Sequence, residues 1–68
     1  MKVLIPRDGK NIACVDFDKI LFTEERTKGI CFFLKDNTCV AYENLKEQDI
    51  KSIFSQIKKF NEKVSTIL

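Results

Sequence analysis

Two carboxylates two residues apart, Asp16 and Asp18 on either side of Phe17, are the first side chains of this sequence equipped for chemistry. Paired acids serve general acid–base catalysis or hold a hard cation. A calcium-type loop needs several more oxygen ligands at fixed spacing, and no such series surrounds Asp16-Phe17-Asp18. The segment therefore reads as a turn whose acids stay in water while Phe17 anchors it. Histidine is absent, which removes the commonest general base and nitrogen ligand. Ser52, Ser55 and Ser65 lie in no elbow or lysine motif that would activate a hydroxyl. Gly9 and Gly29 are the only glycines, too few for a loop that cradles phosphate, and both read as turn residues. No enzyme activity, metal, cofactor or small-molecule substrate is expected.

Cys14, Cys31 and Cys39 are odd in number and never at CxxC spacing. They read as reduced thiols buried in strands rather than as a disulfide framework. Lys58, Lys59 and Lys63 form the one basic cluster. Such a cluster can touch nucleic acid, but cations near a helix C-terminus also complement its dipole. The chain carries 12 basic and 10 acidic side chains, and the excess lies entirely beyond residue 43. No strong phosphate-tracking surface is evident. Lys28-Gly29-Ile30-Cys31-Phe32-Phe33 carries part of the aromatic pattern of nucleic-acid-binding strands. It reads more simply as a core strand.

The elements that position these groups follow from two periodicities. Up to about residue 43 the apolar period is two, and beyond it the period is near 3.6. Strands are expected over 1–5, 11–15, 19–25, 30–34 and 39–43. Asp8-Gly9 signals the first hairpin turn. A helix is expected over about 45–62, capped by Asn44 with Glu47 three residues on, and followed by a tail at 63–68. The apolar stripe of this helix is Ile50, Ile53, Phe54, Ile57, Phe60, Val64 and Ile67. The fold class is α+β: a small curved antiparallel sheet of four or five strands and one C-terminal amphipathic helix, in one domain of 68 residues. No stretch is long and apolar enough to span a membrane or to form a signal peptide, so a cytoplasmic location is the default.

The strands are apolar on both sides. Ile30, Phe32 and Leu34 alternate with Cys31 and Phe33. Likewise Leu21 opposes Ile20 and Phe22, and Val40 and Tyr42 oppose Cys39 and Ala41. One helix covers one face. The other either closes on itself or meets a partner, because monomers seldom expose large apolar patches. Cys31, Phe33, Val40 and Tyr42 are the candidate protein interface, for a second copy of the chain or another protein. The expected function is a small regulatory or interaction module. The alternative is a nucleic-acid-binding module that uses Lys58, Lys59, Lys63 and sheet aromatics.

The run from Ile5 to Ile57 resembles the small flagellar FlbD-like family. The resemblance rests on Arg7-Asp8-Gly9-Lys10, Phe17-Asp18-Lys19-Ile20, the hairpin from Ile30 to Tyr42 with Asp36-Asn37 at its turn, and Asn44-Leu45-Lys46-Glu47. Residues 17–57 also resemble the first half of a LytTR-type DNA-binding domain, through the Phe17-to-Glu24 strand and the helix opening at Asn44-Leu45-Lys46-Glu47-Gln48-Asp49-Ile50. The basic F-x-R-x-H-R strand of such domains does not occur in this sequence. Both resemblances imply the same strand, hairpin and helix order.

Overall fold

The computed structural model describes residues 1–67, with side chains through Val64. Strand β1 (Lys2–Arg7) and β2 (Lys10–Asp16) form one hairpin. A single 3-10 turn (Phe17–Lys19) leads to β3 (Ile20–Arg26), β4 (Gly29–Leu34) and β5 (Cys39–Tyr42), a separate antiparallel sheet in the order β3-β4-β5. Helix α1 (Glu47–Ile67) follows. Five strands form where alternation predicts them, but in two sheets of two and three strands, not in one sheet. The division falls at Asp16-Phe17-Asp18. There the Asp16 carboxylate accepts the Asp18 N–H at 3.2 Å, and Phe17 N–H binds the Met1 carbonyl at 2.9 Å. Phe17 meets Phe60 of α1 edge to face at 5.4 Å. The turn reading of this segment matches that geometry.

Asp8 and Gly9 both take positive φ, +53° and +81°, the two-residue type I′ turn that matches strand twist. Asn44 also has positive φ, +60°. An N-cap residue needs extended backbone, so Asn44 cannot be the cap. The Leu45 N–H instead binds the Lys28 carbonyl at 2.9 Å, and the Ile50 N–H closes the first helical bond on Lys46. The helix thus begins two residues later than the Asn44–Glu47 spacing predicts. At its other end it continues to Ile67, through most of the expected tail.

The inner faces of both sheets and one side of α1 share a core. Val3 and Ile5 from β1, Val15 from β2, Ile30 and Phe32 from β4, and Leu45, Ile50 and Ile53 are buried together. Val40, Tyr42, Phe54, Ile57 and Phe60 pack against them. The helical stripe loses cover beyond Phe60, where Val64 is exposed.

Helix α1 also guards an edge. Strand β1 has β2 on one side only. On the other, the Gln56 amide acts as a short surrogate strand. Its Oε1 accepts the Leu4 N–H at 2.8 Å and its Nε2 donates to the Leu4 carbonyl at 2.9 Å. Covering an edge in this way blocks strand addition. Gln56→Ala is expected to cost about 1–2 kcal/mol for the two bonds, and to speed exchange of the Leu4 amide more than that of Val3 or Ile5. Hydrogen exchange read residue by residue checks this.

The turn between β4 and β5 has its own lock. Asn37 sits at φ +72°, and the Asp36 carboxylate accepts both the hydroxyl and the N–H of Thr38, the latter at 3.0 Å. These bonds, the hydroxyl first, hold the Asp36 carboxyl below its ordinary pKa. A lowered folded-state pKa contributes stability above the unfolded carboxylate value, and that contribution is lost as pH falls through the folded value. NMR titration should place Asp36 below the usual aspartate range, and Thr38→Val should move it part of the way back, since the backbone bond survives.

Candidate functional site

The register of β3-β4-β5 assigns every side chain of this sheet to a face. Ile30 pairs with Tyr42 and Phe32 with Val40. These four, with Leu34, belong to the side that joins the core. Cys31 pairs with Ala41 and Phe33 with Cys39, on the opposite side. The candidate interface therefore divides. Cys31 and Phe33 lie on the outer face, whereas Val40 and Tyr42 lie on the inner one, where Tyr42 meets Phe32 edge to face at 6.0 Å. Alternation alone groups residues into two sets within each strand. Register decides which set of β5 joins which set of β4.

Strand β3 also departs from strict alternation. Strict alternation puts Ile20 and Phe22 on one face. The pairing skips Leu21, running from Ile20↔Leu34 to Phe22↔Phe33. This bulge turns Phe22 outward, where its ring stacks on Phe33 with centroids 4.5 Å apart and planes 16° apart. Phe22 remains 51% exposed, and the bulged Leu21 is 61% exposed. Beyond the bulge, Thr23 and Glu25 take the inner register positions opposite Phe32 and Ile30. Sequence periodicity misses Phe22 because a bulge leaves no apolar signature. Its only trace is the adjacent pair Glu24-Glu25, where alternation fails.

The outer face thus carries Phe22 and Phe33 as a half-open aromatic stack, with Cys39 and Ala41 exposed beside it. Cys31 is 1% exposed at its centre, and burial pushes its thiol pKa up, so it is a neutral side chain rather than a nucleophile. Of the three cysteines, all free, only Cys31 is buried as expected. Cys14 and Cys39 occupy exposed strand positions. At the end of the outer face, Glu24 and Arg26 alternate along β3 and pair with each other at 3.3 Å. A Cβ at Gly29, which follows this turn, would lie 2.7 Å from the Tyr42 carbonyl oxygen, so glycine is what permits β4 to start so close to β5.

The remaining candidates are dispersed. Asp16 and Asp18 are held by Lys2 at 3.9 Å and the N-terminal ammonium at 4.0 Å. Among the described residues no group of three or more metal-ligating side chains occurs. Lys58, Lys59 and Lys63 are all exposed but do not converge. Lys59 and Lys63 share a helical face, and Lys58 points about 100° away from Lys59, toward β3. Among the described residues no helix is long and apolar enough to cross a membrane. No family model, curated protein or solved structure matches the chain.

Proposed function

We propose that the chain is a small non-catalytic interaction module whose outer β3-β4-β5 face associates with the same face of a second copy. The observation that carries this reading is the Phe22–Phe33 stack, in which Phe22 is half exposed and Phe33 part-buried on the open face of the sheet. Exposed aromatics of this kind favour contact with a partner. The charges argue for a second copy as that partner. Glu24 and Arg26 sit two residues apart on the same face. Rotated about a two-fold axis, each presents its opposite to the other protomer, so the patch is self-complementary.

The size of the face sets the strength. Three strands about 4.8 Å apart, of seven, six and four residues at about 3.4 Å each, give a footprint of roughly 300 Å². Stable interfaces bury about 800 Å² per partner. The dimer is therefore weak and concentration-dependent, below the size of stable interfaces. Sedimentation equilibrium at increasing protein concentration should show mass rising from monomer toward dimer, and Phe22→Lys should abolish the rise without changing the fold, because Phe22 is already half exposed. A concentration-independent monomer would remove this reading.

A further inference from the structure

A different surface, on the other side of β3, carries a second site. Helix α1 lies along β1 and leaves a groove of about 610 Å³ between its N-terminal half and the β3–β4 turn. Leu45, Ile50 and Phe54 form its apolar floor, and Phe54 is only half buried. This volume lies within the range of ordinary ligand-binding clefts.

The rim gives the groove a sign. Its cations are Arg26, Lys28, Lys51 and Lys58, against two carboxylates, Glu25 and Glu47. Glu47 is already engaged by Lys51 at 3.3 Å, and Arg26 by Glu24. Lys28 and Lys58 carry no ion pair among the described residues and stand on opposite walls, one from the β3–β4 turn and one from the helix. With those two pairs set aside, Lys28 and Lys58 remain against Glu25, a net charge of +1 on the rim.

The placement of the cations decides the class of ligand. Lys51 and Lys58 lie seven residues apart, two helical turns or about 10 Å along one wall. Lys28 faces them from across the floor. A single carboxylate or phosphate headgroup is held by donors that converge on a point. Cations strung along both walls of an apolar trough fit a chain that presents several carboxylates around one or two apolar side chains. The geometry points to this groove as a docking site for an acidic peptide segment of a partner protein, with an apolar side chain seated on Phe54 and its carboxylates paired to Lys28 and Lys58.

The inference does not depend on self-association, since the groove and the Phe22–Phe33 face share only the Glu24–Arg26 end. The probe is a dye-labelled peptide of about a dozen residues in which Glu and Asp flank one Leu and one Phe, followed by fluorescence anisotropy and by amide shifts of the labelled protein. The expected result is saturable binding that weakens with added salt, shifts confined to 45–58 and 25–28, and at least a tenfold loss in Lys28→Glu/Lys58→Glu. Both lysines are exposed, so the double variant keeps the fold. Phe22→Lys should bind the peptide as the unaltered chain does. An oligo-glutamate of equal charge should bind at least tenfold more weakly, because it leaves the floor empty. The proposal is overturned by no saturable binding at millimolar peptide, by binding that survives the double charge reversal, by shifts that map to the outer sheet face, or by dodecanoate or a short oligonucleotide occupying the groove more tightly than the peptide.

Discussion

Phe32→Ala should leave the chain largely unfolded at room temperature. Among the described residues Phe32 is the largest fully buried side chain, 0% exposed, in the middle of the central strand of its sheet. Its ring pairs across to Val40, meets Tyr42 and belongs to the cluster that Val3, Ile5, Ile50 and Ile53 complete. Truncating a buried Phe costs about 3–5 kcal/mol, from lost transfer energy and the cavity that remains. A chain of this length has roughly 3–10 kcal/mol in total at typical per-residue stability. Circular dichroism in a urea series should therefore show little or no native baseline for Phe32→Ala. Phe33→Ala, one residue along and on the open face, should cost about 1–2 kcal/mol and keep a clear transition, because its ring is already part-solvated. Equal losses in the two variants would contradict the assignment of faces.

Asp49→Ala should be the most damaging polar substitution, at about 2–3 kcal/mol. Asp49 is 3% exposed, the one charged side chain among the buried residues described. A single carboxylate oxygen accepts the Lys46 N–H at 3.0 Å and the Asp8 N–H at 3.3 Å. The first bond satisfies a donor at the helix N-terminus, and the negative charge complements the helix dipole. The second ties that terminus to the β1–β2 turn, and Lys46 Nζ reinforces the tie on the Asp8 carboxylate at 2.8 Å. Hydrogen bonds to a charged acceptor contribute about 1.5–3 kcal/mol, and alanine removes the acceptor from both part-buried donors. Asp49→Asn keeps a carbonyl oxygen and should recover part of the loss. Urea midpoints of the three proteins test this order, and a loss below about 0.5 kcal/mol for alanine would contradict it.

The sequence is legible wherever local geometry decides. Asp8-Gly9 imposes its turn, five alternating stretches form strands, and the stripe from Ile50 to Phe60 forms a helix that buries it. It is not legible where a distant partner decides. Asn44 and Glu47 have the spacing of a capping box, yet Asp49 fills that role because the left-handed turn at Asn44 lets Leu45 bind Lys28. Alternation marks Val40 and Tyr42 as one set and Cys39 and Ala41 as the other, and cannot say which set faces the helix. The bulge at Leu21 leaves only the break in alternation at Glu24-Glu25, which does not locate it, so the outward turn of Phe22 is missed as well. The separation into two sheets depends on whether β2 and β3 pair, and the 3-10 turn at Phe17 settles that through contacts with Met1 and Phe60. Gln56 reads as an ordinary polar helical residue until the edge of β1 is beside it.

Self-association through the aromatic face is tested most directly by isotope-filtered NMR on an equal mixture of labelled and unlabelled chains at about millimolar concentration. Intermolecular Overhauser contacts should join the ring protons of Phe22 and Phe33 to the same rings and to the Ala41 methyl of the other copy, and should vanish in Phe22→Lys. Contacts that instead arise from the helix or the β1–β2 hairpin, or none at all at a concentration where the mass has risen, would contradict the account.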